Sequence, residues 1–154
     1  MAVTVKRITL WRADVENRPG VLARTLEPLA QTGADLRLVM GYRFPQTPDR
    51  SAIELYPVSG KRVTGAAQQA GLAEASDIPC LLIEGDNRPG LGAAIARGLA
   101  DAGLNIAFLM AQVIGRKFTA AVGFADEGAA VAAAPVIKRA TAAPAKKRTP
   151  KKKR

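Results

Sequence analysis

The chain has 154 residues, a length that suits one ordinary domain or two very small ones, and 48% of them are hydrophobic, which is typical of a packed protein. It has no histidine, one cysteine (Cys80) and only three serines, none of them in a nucleophile-elbow motif. These counts exclude histidine acid–base chemistry, histidine-ligated metals and an internal disulfide. We therefore expect a protein that is not an enzyme and that uses no metal or cofactor.

The net charge of +10 is concentrated at the C-terminus. Nine basic residues and no acidic residue lie between Lys138 and Arg154, so residues 1–137 carry a net charge of only +1. The N-terminal residues do not form the apolar core of a signal peptide, and no apolar run reaches the ~20 residues that a bilayer requires. The sequence thus predicts a cytoplasmic protein with a near-neutral body and a basic tail.

The first half of the chain alternates extended and helical patterns. An extended segment (8–13) leads into Asn-Arg-Pro-Gly at 17–20, where proline is expected to occupy the first turn of a helix. A helical pattern follows, ending at Gly33, and then two strands (35–42 and 51–57). A second helix (61–70) and a short strand (72–76) complete this half.

The second half repeats this pattern with an offset of 70 residues. Asn-Arg-Pro-Gly recurs at 87–90, and nine of the 24 positions from Asn17 to Met40 are identical to their counterparts. Predicted strands at 78–84, 105–114 and 116–124 and helices after Gly90 and at 126–139 follow the same order, although Pro135 should kink or split the last helix. No strand closes this copy. The repeat indicates two copies of one supersecondary unit.

The order βαββαβ followed by βαββα predicts an α+β fold of two ferredoxin-like units packed together, the second lacking a clear last strand. We assign residues 1–77 to the first unit, 78–139 to the second and 140–154 to a disordered Lys/Arg/Pro-rich tail. Cys80 lies in an apolar run and is expected to be an inert core residue.

A strand, a turn with Asn-Arg-Pro-Gly, an amphipathic helix, a glycine and a hairpin resemble the ACT domain, and two such copies resemble the stand-alone tandem ACT proteins. The resemblance covers about residues 5–139. It implies a regulatory protein that binds a small ligand, most often an amino acid, where paired units meet. Two departures stand out: no metabolic enzyme is attached, and no fourth strand is predicted for the second unit.

The resemblance thus implies a homodimer as well as a ligand site, and it implies that the strand-to-helix loops form part of that site.

Both loops carry groups that suit an amino-acid ligand. A helix start presents free N–H groups and partial positive charge to a carboxylate, glycine lets a ligand approach the backbone, asparagine offers a donor and an acceptor, and arginine can hold a carboxylate bidentately. The candidate ligand-binding residues are Asn17, Arg18, Pro19, Gly20, Val21 and Leu22 in the first loop, and Asn87, Arg88, Pro89, Gly90, Leu91 and Gly92 in the second.

Two alternatives stay open for these loops. The asparagines could simply cap the helices, which would make both loops structural. If the loops do bind a ligand, the favoured pocket joins one loop to a strand of the facing unit and could include Met40 or Met110, although both methionines also suit an ordinary core.

The basic tail supports a different reading of the protein. Lys146, Lys147, Arg148, Lys151, Lys152, Lys153 and Arg154 could bind DNA or RNA non-specifically, with a Kd of about 10⁻⁴–10⁻⁶ M at physiological salt. In this alternative, the protein is associated with nucleic acid through its tail and the folded body dimerises. A tail that only aids solubility is the simpler interpretation.

Overall fold

The computed structural model describes residues 3–143, so the seven basic residues from Lys146 to Arg154 lie outside the described part of the chain. Two four-stranded antiparallel sheets pack against each other, and two helices cover the outer face of each. The predicted α+β fold with two ferredoxin-like units is confirmed. The elements in chain order are β1 (Thr4–Ile8), β2 (Trp11–Glu16), α1 (Val21–Gln31), β3 (Leu38–Phe44), β4 (Thr47–Tyr56), α2 (Lys61–Gln69), β5 (Ala73–Glu74), β6 (Cys80–Asp86), α3 (Leu91–Asp101), β7 (Ile106–Ile114), β8 (Lys117–Phe124) and α4 (Glu127–Thr141).

The first sheet has the strand order β3-β4-β2-β5. Because side chains alternate across a strand, each strand sends one set of residues to the helices and the other set to the second sheet. Trp11 and Ala13 of β2 and Ile53 and Leu55 of β4 form the helix-facing core together with Leu29 of α1. The first sheet therefore contributes to two separate apolar layers.

The second sheet has the order β1-β6-β8-β7, and its outer strand comes from the N-terminus of the chain. The β1 strand pairs antiparallel with β6, with Val5 opposite Ile83 and Ile8 opposite Cys80. Up to residue 143, no strand follows α4 in the second unit, and β1 takes the position of a last strand at the edge of β6. The division at residue 77 places Thr4–Ile8 in the first unit, whereas these residues pair within the second sheet.

The inner faces of the two sheets enclose a shared apolar layer. It contains Ile8, Leu10, Leu38, Cys80, Leu82, Ala75 and Ala121. Cys80 is fully buried there, and burial raises the pKa of its thiol to about 12. The expectation that Cys80 is a core residue is confirmed, and a thiol with this pKa holds almost no reactive thiolate near neutral pH.

The last helix, α4, is longer than its counterpart α2 and is not split by Pro135. Asp126 caps its start, where the carboxylate accepts a hydrogen bond of 2.8 Å from the Ala129 N–H. Ala130, Ala133 and Ile137 form a buried stripe on either side of the proline. Packing of this stripe against the second sheet stabilises the helix despite the hydrogen bond that proline cannot donate. Within residues 3–143, no helix is long and apolar enough to cross a membrane.

Candidate functional site

Both Asn-Arg-Pro-Gly motifs form a β-turn immediately before a helix. The Val21 N–H donates to the Arg18 carbonyl over 3.4 Å, and the Leu91 N–H donates to the Arg88 carbonyl over 3.2 Å. Gly20 has φ 88° and ψ −13°, close to the third residue of a type II turn, which requires a positive φ and therefore favours glycine. Proline occupies the second turn position, so the prediction that it lies in the first turn of the helix is wrong.

The asparagines tie these turns to the neighbouring hairpins and do not cap the helices. The Asn17 N–H donates to the Asp49 carbonyl over 2.7 Å, and the Asn17 side chain donates to the Pro48 carbonyl over 2.9 Å. The Asn87 N–H likewise donates to the Arg116 carbonyl over 2.8 Å. Among residues 3–143, no side chain caps α1 or α3, so the interpretation of Asn as a cap is wrong.

The two arginines of the repeat have different partners. The Arg88 guanidinium donates to the Thr141 carbonyl over 3.1 Å and to the Ala142 carbonyl over 3.5 Å, at the C-terminal end of α4. Arg18 instead forms an exposed ion pair of 2.8 Å with Glu16 at the end of β2. Leu91 is also buried, with 2% of its surface exposed, whereas its counterpart Val21 is half-buried. The second loop is therefore closed against its own unit, and the first is open.

A cleft of about 220 Å³ lies beside the first loop, and we call it the loop cleft. Four of the six candidate residues of the first loop line it, while Pro19 and Gly20 form the turn behind them. The other side of the loop cleft is formed by strands β3 and β4. The lining residues are Val15, Glu16, Asn17, Arg18, Val21, Leu22, Gly41, Tyr42, Arg43, Ser51, Ala52 and Ile53.

Strand β3 brings to the loop cleft residues that the sequence did not mark as part of a site. The Tyr42 hydroxyl donates to the Glu54 carboxylate over 3.2 Å, and desolvation together with Glu54 raises the pKa of Tyr42 to about 12. Glu54 is 2% exposed, and burial raises its pKa although Tyr42 and Arg12 oppose that shift. Because side chains alternate along β3 and β4, the sequence alone could have placed Tyr42 and Glu54 on the same face of the sheet. It did not show that Glu54 would be buried on that face.

A second cleft, of about 280 Å³, lies between the two sheets, and we call it the inter-sheet cleft. Met110 lines it, but no residue of either loop does, and Met40 lines neither cleft. Neither of these two clefts within residues 3–143 joins a loop to a strand of the facing unit, so the expected pocket stays a prediction. None of the candidate residues from Asn87 to Gly92 lines either cleft. No group of three or more Cys, Asp or Glu side chains that could hold a metal ion lies within residues 3–143.

These features define the fold of a tandem ACT protein, in which two βαββαβ units pack together and one strand-to-helix loop borders a cleft. The predicted resemblance is confirmed at the level of the fold. Comparison with solved structures supports this assignment, whereas no family model and no curated protein sequence matches the chain.

Three solved structures illustrate the likeness. Protein BT0572 from Bacteroides thetaiotaomicron aligns with a TM-score of 0.69 and 14% identity, covering 84% of this chain and 87% of that protein. The ligand-free regulatory subunit of aspartate kinase from Thermus thermophilus aligns with a TM-score of 0.63 and 16% identity, covering 92% and 98%. The corresponding subunit from Thermus flavus gives 0.57 and 18%, covering 91% and 97%. At these identities, the likeness establishes the fold.

Proposed function

We propose that this chain is a non-catalytic regulatory protein that binds a small amino acid in the loop cleft. The observation that carries the proposal is the difference between the two loops: Arg88 is engaged by the end of α4, whereas the first loop borders an open cleft. Two of the similar solved proteins are regulatory subunits of aspartate kinase, which supports a regulatory role. The absence of histidine from the chain supports a role without catalysis.

The charges of the loop cleft complement a zwitterion. Arg18 and Glu16 lie 2.8 Å apart at its border, so a ligand's carboxylate can meet the guanidinium while its ammonium meets the carboxylate. The uncapped start of α1 adds N–H donors and partial positive charge. Val21 and Leu22 offer apolar contact to a side chain, and the volume of about 220 Å³ restricts the ligand to a small molecule.

The loop cleft lies next to the edge strand β3, which suggests how a second copy could complete it. Strands β3 and β7 are the outer strands of their sheets on the side of the inter-sheet cleft, and both carry exposed apolar residues. Among these are Val39 and Tyr42 on β3 and Leu109, Val113 and Ile114 on β7. We expect a homodimer in which edge strands of two copies meet and the loop cleft lies at the boundary between ACT units.

The test is a thermal-shift and calorimetric titration with a panel of amino acids, using Gly41→Leu to fill the loop cleft. A Cβ atom at Gly41 would meet no atom within 4 Å, so the backbone there leaves room for a side chain and the variant is expected to fold. Ala111→Leu is the matched control, because Ala111 is the equivalent exposed position in the second unit. We expect one or a few amino acids to stabilise the wild type and the control but not Gly41→Leu. Lack of any response in the wild type at millimolar concentration would contradict the proposal.

A further inference from the structure

The inter-sheet cleft opens at one end of the apolar layer between the two units. Its floor is formed by buried Leu38 of the first sheet and buried Leu82 of the second, with Tyr56 and Met110 half-buried beside them. Both sheets thus contribute apolar surface to a single cleft of about 280 Å³. A ligand in the inter-sheet cleft would contact both units, whereas a ligand in the loop cleft would contact the first unit alone.

The rim of this cleft is charged, and its main ion pair joins the units. Arg37 of the first unit lies 2.7 Å from Glu84 of the second, with their side chains 52% and 40% exposed. Lys117 also lines the cleft and lies 2.6 Å from Asp86, whose pKa it lowers. Two cationic side chains and one carboxylate therefore face the cleft, and these exposed ion pairs cost little to rearrange.

We infer that the inter-sheet cleft is a second ligand site, which takes a small monocarboxylate with an aromatic or branched apolar body. The apolar body would lie on Leu38 and Leu82, beside Met110. The carboxylate would be held by Arg37, whose planar guanidinium can bind it bidentately, with Lys117 adding a second positive charge. Gln112 and Thr119, also in the lining, offer hydrogen bonds to a further polar group of the ligand.

The size and the charge of the cleft support this ligand class. A volume of about 280 Å³ lies just below the ~300–1,000 Å³ of drug-sized ligand sites, which favours a molecule with one ring or one branched chain. The four charged groups of the rim sum to zero, so the preference for an anion over an amine depends on Arg37 turning from Glu84 to the ligand's carboxylate. None of the loop residues lines this site, so its test is independent of the test of the proposed amino-acid site.

The methionine methyl groups provide a local probe, since the chain has only three methionines. Carbon-13 labelling of these methyls, with Met40→Leu and Met110→Leu to assign the signals, allows titration with 3-phenylpropanoate and with 2-phenylethylamine. We expect 3-phenylpropanoate to shift the Met110 signal more than the Met40 signal, and 2-phenylethylamine to shift neither. An unmoved Met110 signal at millimolar 3-phenylpropanoate, or an equal response to the amine, would overturn the inference.

Three variants complete the experiment. Arg37→Gln should weaken 3-phenylpropanoate binding by about tenfold, the loss expected for a hydrogen bond to a charged group. Arg97→Gln is the matched control, because Arg97 is an exposed arginine of α3 that pairs with Asp101 on its own helix and does not line the cleft. Gly41→Leu should leave the Met110 response unchanged, which separates this site from the loop cleft. Equal affinity of the wild type and Arg37→Gln would overturn the assignment of the carboxylate to Arg37.

Discussion

The Arg88 guanidinium donates a hydrogen bond of 3.1 Å to the Thr141 carbonyl, joining the second strand-to-helix loop to the end of α4. Thr141 is itself buried, and its hydroxyl donates to the Ile137 carbonyl over 2.7 Å. The equivalent Arg18 pairs with Glu16 instead, and α2, the counterpart of α4, ends at Gln69 after nine residues, whereas α4 has fifteen. One repeated residue thus stabilises a helix end in one unit and borders an open cleft in the other.

Replacing these two arginines by alanine should have unequal effects on stability. Arg88→Ala removes a cation from the C-terminal end of α4, where the helix dipole and the free carbonyls favour it, and should cost about 1–2 kcal/mol. Arg18→Ala removes an exposed ion pair and should cost less than about 0.5 kcal/mol. Urea denaturation of both variants measures the difference. Equal losses would show that Arg88 does not stabilise α4.

We expect Glu54 to make the free energy of unfolding depend on pH. Burial raises its pKa above 4.5, so in the pH range above 4.5 the folded protein binds more protons at this site than the unfolded chain does. The contribution of Glu54 is therefore fully present below pH 4.5 and is lost as the pH rises through the folded-state pKa. Asp77, Asp86 and Glu127 act in the opposite direction, because their lowered pKa values remove stability as the pH falls.

Glu54→Gln removes the contribution of Glu54 to the pH dependence of stability and leaves the contributions of the three aspartate and glutamate residues with lowered pKa values. Glutamine keeps an acceptor for the Tyr42 hydroxyl, and Arg12 retains its pair with Asp77 at 2.8 Å. We expect the variant to be at least as stable as the wild type near neutral pH and to lose less stability as the pH rises from about 5. Urea denaturation over this range is the measurement. A variant that loses stability at neutral pH without a change in the pH profile would show that Glu54 is held in its ionised form.

The repeat predicted the two turns and the order of the elements because these depend on local backbone preferences. The proline and glycine of each motif specify a turn wherever they occur. Two other features depend on distant contacts. The pairing of Thr4–Ile8 with β6 joins residues about 80 positions apart, and a short polar strand does not reveal which edge it covers. The engagement of Arg88 depends on where α4 ends in space, so identical motifs could not show that only one loop is open.

Cys80 should be protected from thiol reagents as long as the two sheets stay together. Its side chain is fully buried in the layer between them, and the pKa of about 12 keeps it protonated. We expect labelling by a disulfide reagent to be slow in native buffer and complete within the mixing time in concentrated urea. Because Cys80 is the only cysteine, the labelling rate reports directly on opening of this layer. Fast labelling of the native protein would indicate that the sheets separate readily.

The proposed homodimer can be tested by placing charges on the exposed edges. Val39 on β3 and Val113 on β7 are 42% and 49% exposed, and lysine on an edge strand opposes pairing with another chain. We expect the double variant Val39→Lys/Val113→Lys to be monomeric by light scattering at concentrations where the wild type is dimeric. Val131→Lys is the matched control, because Val131 is a 66% exposed valine on α4, away from both edges. A monomeric wild type would contradict the homodimer, and a double variant that still dimerises would show that the two copies do not meet at these edges.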